Sequence, residues 1–254
     1  MKTSKDIRAD AWKALGENGQ YLRYVSAYLL LMLITVVVSI PLMGVLGIGI
    51  GVSGIAPFFA PGGQPEIGLF LDPAVMLPLL VSALVFSLLA LYPLGYVSWG
   101  NAAMAIAALR RGLTVGHAFS GWGHGWRMGW IMAVKCTYIN LWALLLFVPG
   151  VVKTISYSMT DFVAIDHPDW SANRCITESR RLMDGNKMRY LCLMLSFIGW
   201  FILVAVASSI SFVGNFAQWF FLPYFEAAKA AFYEDLLDND AEEQQGTAHE
   251  CQQA

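Results

Sequence analysis

Charge is scarce in this chain. Asp, Glu, Lys and Arg make up 13% of the 254 residues, about half the roughly one quarter usual in soluble domains. The net charge of −2 carries no nucleic-acid signal. The four cysteines, Cys136, Cys175, Cys192 and Cys251, form no CxxC pair, which leaves no disulfide framework or zinc site to read. The four histidines, His117, His124, His167 and His249, lack HExxH spacing. There is no P-loop, no nucleophile elbow and no GxGxxG after a strand. No catalytic residue, cofactor or metal ligand is therefore assigned, and the reading is non-enzymatic.

What is abundant is apolar. Hydrophobic residues make up 57% of the chain, and the mean hydropathy is +0.56. Several runs exceed the roughly 18–20 residues that cross a bilayer core. The expected fold class is all-α: a polytopic transmembrane helical bundle with interfacial amphipathic helices. The expected organisation is an amphipathic N-terminal helix (residues 1–20), a multi-pass membrane domain of about six embedded segments (21–233), and an acidic, disordered tail (234–254). The first apolar run is too long for a signal h-region, so it is expected to stay as an anchor.

Residues Thr3 to Leu15 place Ile7, Ala11, Ala14 and Leu15 at helical spacing, opposite Lys5, Arg8 and Lys13. Such a helix either lies on an anionic membrane surface or leads, solvated, into the first crossing. Gly47 and Gly51 make a GxxxG spacing in the first segment. The linker from Val52 to Pro73 holds no Lys or Arg. A second segment, Ala74 to Leu109, carries Pro78 and Pro93 as expected kinks. Trp122, Trp126 and Trp130 recur every fourth residue beside Gly121, Gly125 and Gly129, as on a short interfacial helix.

Three basic groups then fix the topology. They are Lys2 to Arg23, Arg110 to Arg127, and Arg174 to Arg189. If all three face the cytoplasm, Ile131 to Ile165 must cross an even number of times. A hairpin turning at Pro149-Gly150 is favoured over one long kinked helix. Asp166 to Asp184 reads as one amphipathic surface helix, with Ala172, Ile176, Ser179 and Met183 on its inner face, an Arg174–Glu178 pair, and Gly185 as its cap. Two further crossings follow, one from Tyr190 to Ser211 and one that starts after Gly214-Asn215 and runs to Tyr233.

Several pieces of the second half resemble a bacterial integral-membrane family known as domain of unknown function 975. They are Trp142–Gly150 (WALLLFVPG), Tyr157-Ser158-Met159, Asp166-His167-Pro168, Glu178–Lys187 (ESRRLMDGNK), Leu195–Trp200 (LSFIGW), Leu222-Pro223-Tyr224 and Ala231-Phe232-Tyr233-Glu234. The N-terminal helix and first crossing also look similar. The long Gly/Pro loop and the Gly/Trp run depart from the pattern. The resemblance implies a multi-pass membrane protein and carries no catalytic residue across.

Ionisable groups inside apolar segments point to function, because each costs a few kcal/mol at mid-bilayer. The candidate polar intramembrane site comprises Lys135, Asn140, Lys153, Asp161, Glu226 and Lys229. Lys153 and Asp161 are expected to line one polar cavity, and Glu226 and Lys229 to pair at i,i+3. The candidate surface-binding residues are Arg174, Arg180, Arg181 and Lys187. The expected partners are the lipid bilayer, anionic headgroups, and a membrane or cytoplasmic protein, with no nucleic acid. The expected location is the bacterial inner membrane with both termini cytoplasmic. The alternative is a small-solute or lipid transporter built on the polar site.

Overall fold

The computed structural model describes residues 2–16, 19–50, 77, 95–110, 112–121, 125–145, 147–210 and 216–253. The Val52–Pro73 loop, Pro78, Pro93, Gly51 of the GxxxG pair and Trp122 lie outside them. Among the described residues, regular structure is entirely helical.

Helix α1 is Ser4–Gly16. Thr3 and Asp6 start it: the Thr3 amide donates to Asp6 Oδ2 (3.0 Å), and the Asp6 amide donates to Thr3 Oγ1 (3.4 Å). This reciprocal arrangement satisfies amides that a helix start leaves open. Ile7, Ala11 and Leu15 are buried, and the helix packs chiefly on α10. Its apolar face is therefore covered by protein, which removes the face a surface-lying helix would dip into lipid.

Helix α2 is Gln20–Ile50. Tyr24, Ala27, Tyr28 and Leu31 form its buried stripe, at the spacing of one helical face. The partner is α3, residues 95–110, whose run from Asn101 to Ala108 is wholly buried and mostly alanine. Glycines also let α3 approach the helix Gly125–Leu145 and the 115–119 turn closely. A Cβ on Gly95 would stand 2.9 Å from the Met128 carbonyl oxygen, and one on Gly100 would stand 3.0 Å from that of Ala118. The Tyr24 hydroxyl donates to the Asn101 carbonyl at 2.9 Å.

Helices α4 (Gly125–Leu145) and α5 (Phe147–Ser156) form an antiparallel hairpin. Tyr138 lies tilted against Tyr157, with ring centroids 6.4 Å apart, and Lys153 lies over the Trp142 ring (4.7 Å). Both pairs centre on the same point of the chain, so one register accounts for both. The reversal precedes Pro149-Gly150, which sit in the first turn of α5. Proline fits there because its missing N–H would have no helical partner, so the breaker signal marks a helix start and not the turn itself.

The expected helix from Asp166 to Asp184 is shorter, beginning only at Ala172, and a separate helix ends at Asp166. Helix α6, Thr160–Asp166, ends before Pro168. Helix α7, Ala172–Leu182, starts at Ser171, whose side chain accepts from the Arg174 amide. Pro168 disfavours helix at the residue before it, and Ser171 provides a new start. The inner face is as expected, with Cys175 and Leu182 added. Gly185, at φ +74, terminates the segment.

The expected crossing from Tyr190 is also broken. Helix α8, Lys187–Ser196, and helix α9, Ile198–Ile210, meet at 42°. Ser196 Oγ donates back to the Leu193 carbonyl at 2.6 Å, a local bond that favours bending. Phe197 at the break is fully buried. Helix α10, Ala217–Gln253, is continuous. It corrects the expectation of a disordered tail from Glu234: Asp235 and Leu236 are buried, and Asp240 is ion-paired to Arg181. Arginines distant in the chain pair with Glu234, Asp235 and Asp240 of the acidic run.

One described stretch, Gln20–Val37 in α2, is long and apolar enough to cross a membrane by length and composition. Helices α8 and α9 make a second if taken as one bent span.

Candidate functional site

Four of the six candidate polar residues sort into two ion pairs. Asp161 lies in the first turn of α6, a position that favours a carboxylate. Lys135 Nζ of α4 donates to both its oxygens at 2.8 Å. Ser98 Oγ of α3 donates to Oδ2 at 2.5 Å. The two charged side chains are 12% and 18% exposed. On α10, Lys229 Nζ donates to Glu226 Oε2 at 2.9 Å and lies 5.6–5.9 Å from the centroids of Phe225 and Phe162. Both pairs are neutral overall. That balance is what burial demands, because an unpaired ion in a low-dielectric interior costs far more than a pair.

The Glu226–Lys229 pair is as read from the spacing. The shared cavity for Lys153 and Asp161 is not. The turn at Tyr157–Met159 separates α5 from α6, so Lys153 faces Trp142 while Asp161 faces Lys135. Spacing on one continuous helix had placed them together, and the helix is not continuous. Asn140 is exposed near the end of α4.

A second network lies where the basic groups gather. Arg110 donates from Nη1 and Nη2 to the two Asp166 oxygens (2.7 and 3.0 Å) and from Nε to Glu234 (2.7 Å). The Tyr233 hydroxyl adds a bond to Asp166 Oδ2 at 2.9 Å. Arg127 donates to the carbonyls of Ala164, His167 and Trp170 (3.3, 3.0 and 3.0 Å), closing the C-terminal end of α6 with a cation. Arg189 reaches Asp235 at 2.6 Å and the Lys2 carbonyl at 2.9 Å. The sequence reading used these arginines only as markers of membrane side. The signal for more was present in the acids that follow Tyr233, but their partners lie far off in the chain.

The four candidate surface cations differ in their engagement. Arg181 is paired with Glu178 and Asp240, both at 2.6 Å. Lys187 is 3.3 Å from Asp184. Arg174 lies 4.0 Å over the Trp170 ring, which itself stacks on His167 at 3.8 Å. The expected Arg174–Glu178 pair is thus replaced by Arg181–Glu178, because Trp170 holds the Arg174 guanidinium. Among the described residues, Arg180 has no ion-pair partner.

Hydrogen bonding from Arg181 holds the Asp240 carboxyl below its ordinary range. A carboxyl lowered in the folded state contributes stability above its unfolded pKa and loses it as pH falls through the folded one. Amides around Asn239 and Asp240 are therefore expected to lose protection, after correction for the pH dependence of intrinsic exchange, below about pH 4, while those of the buried Ala227–Ala231 stretch stay protected. Hydrogen exchange at pH 3 and pH 7 checks this, and equal protection of Asn239 at both values would refute it.

Among the described residues, no group of three His, Cys, Asp or Glu is placed to hold a metal ion. Residues 122–240 match the family described as "Protein of unknown function (DUF975)". This stretch is a DUF975 segment. The match takes in every piece quoted for the resemblance and leaves the N-terminal helix and first crossing outside it. No curated protein and no solved structure matches the chain. Two of the DUF975 pieces, Asp166-His167-Pro168 and Ala231-Phe232-Tyr233-Glu234, meet in space at Arg110, which precedes the segment.

Proposed function

We propose that the protein is a non-enzymatic, multi-pass component of the bacterial inner membrane that acts through lipid or protein contacts, with both termini cytoplasmic. One observation carries the reading. Helices α2 and α9 turn broad apolar faces outward: Leu33, Val36 and Val37 on one, and Ile198, Phe201, Ile202, Leu203 and Val206 on the other, each more than 40% exposed. Contiguous apolar surface on this scale marks a membrane or protein interface. The basic face of α7 sits beside the paired cytoplasmic network, where headgroups or a partner would meet it.

Membranes from an expressing strain, washed with alkaline carbonate, test the placement. The protein is expected to stay in the pellet, and release into the supernatant would sink the reading. In native mass spectrometry from nanodiscs, neutralising Arg174, Arg180 and Arg181 together is expected to strip co-purified anionic lipid or protein. Unchanged retention would count against action through this face.

A second reading is favoured by the Lys135–Asp161 pair. It joins α3, α4 and α6 in the interior, the arrangement expected of a solute or lipid transporter with a polar intramembrane site.

A further inference from the structure

An open groove of about 290 Å³ lies against helices α4, α5 and α7. It lies slightly below the roughly 300–1,000 Å³ of drug-sized ligand clefts, a size for a headgroup and not for a whole lipid. Lys153 of α5 and Arg180 of α7 both line it, together with Tyr138, Trp142, Tyr157 and Asn173. No Asp or Glu lines it. The carboxylates near α7 are committed elsewhere: Glu178 to Arg181 at 2.6 Å and Asp184 to Lys187 at 3.3 Å. Among the described residues, Lys153 and Arg180 have no ion-pair partner, although every other cation on α7 and α8 is either paired or stacked on a ring.

Two like charges facing one groove repel each other, and an anion between them relieves the repulsion. Lys153 is held over the Trp142 ring at 4.7 Å, which fixes its ammonium without neutralising it. The Tyr138 hydroxyl donates to Asn173 Oδ1 at 3.4 Å, which turns the Asn173 amide nitrogen into the neutral donor of the groove wall. An ammonium, a guanidinium and a neutral donor around a small concavity match the oxygens of a phosphate. We infer that this groove binds a phosphate group, presented by a phospholipid headgroup or as a free phosphate anion. The inference deepens the lipid-contact reading above and rests on it for the lipid source.

The test uses the full chain in nanodiscs. Three samples are compared by native mass spectrometry: phosphatidylglycerol discs, phosphatidylcholine discs, and phosphatidylcholine discs with added inorganic phosphate. The wild type is expected to retain phosphatidylglycerol against delipidation. Lys153→Gln with Arg180→Gln is expected to retain it roughly tenfold less, the loss expected when charge-assisted bonds are removed. Thr177→Asp, an exposed change that sets a carboxylate at the groove rim, is expected to reproduce that loss with both cations in place, so misfolding of the double variant does not decide the result. An adduct only with added inorganic phosphate, lost in the same variants, identifies the free anion as the source. Equal retention by wild type, double variant and Thr177→Asp overturns the inference. If those variants retain lipid while Arg174→Gln with Arg181→Gln loses it, the groove is wrong and the lipid-contact reading stands. If no variant loses it, both fall.

Discussion

Replacing Asp161 with asparagine is expected to cost about 3–5 kcal/mol of folding free energy, the cost of leaving one buried partner uncompensated. The Lys135 ammonium bonds both carboxylate oxygens at 2.8 Å and is 12% exposed. Asparagine can still accept from Ser98 but offers Lys135 no charge. Lys135→Met with Asp161→Leu is expected to recover most of the loss, since a buried pair exchanged for apolar side chains is often neutral. Unfolding by denaturing detergent measures each step. A single-variant loss below about 1 kcal/mol would show that the pair is wetter than its geometry implies. The double variant also separates the two functional readings. A folded double variant that no longer moves solute into proteoliposomes supports transport, whereas one that matches the wild type leaves the pair a structural tie.

Phe197→Ala is expected to cost a similar amount, about 3–5 kcal/mol, as for other buried aromatics cut to alanine. Its ring is wholly buried at the break between α8 and α9. It stands edge-on to Phe221, Tyr224 and Phe225 of α10, at 5.9, 5.2 and 5.4 Å between centroids. The Arg8 guanidinium of α1 lies 5.7 Å from the ring centre. One side chain thus fastens four helices, and the cavity it would leave is ringed by aromatics too stiff to fill it. Phe197→Leu keeps most of the volume and is expected to lose markedly less. Equal losses for the two variants would show that the aromatic edges matter more than the space filled.

Local patterns in the sequence carried local structure well. The Glu226–Lys229 pair, the inner face of α7 and the stop at Gly185 follow from spacing and residue type alone. The hairpin of α4 and α5 followed from where the basic groups fall, although Pro149-Gly150 marked the helix start after the reversal. What failed was every inference that needed a distant partner. Ile7, Ala11 and Leu15 announce that something apolar covers α1, but nothing in them distinguishes lipid from α10. The acids after Tyr233 read as solvated because Arg110, Arg181 and Arg189 lie far away in the chain. Lys153 and Asp161 seemed to share a face because the turn at Tyr157–Met159 carries no Gly or Pro to announce it. The candidate site was therefore legible as a set of residues and not as a set of pairs.

The continuity of α10 has a mechanical consequence. The same rod holds Lys229 among interior aromatics and Asp240 in the grip of Arg181, about 16 Å apart at roughly 1.5 Å per residue. Anything that draws Arg181 away from Asp240 releases one end of a stiff lever whose other arm reaches the interior. A binding event at the surface would then be felt three turns deeper as a shift in position, with no diffusing messenger between the two.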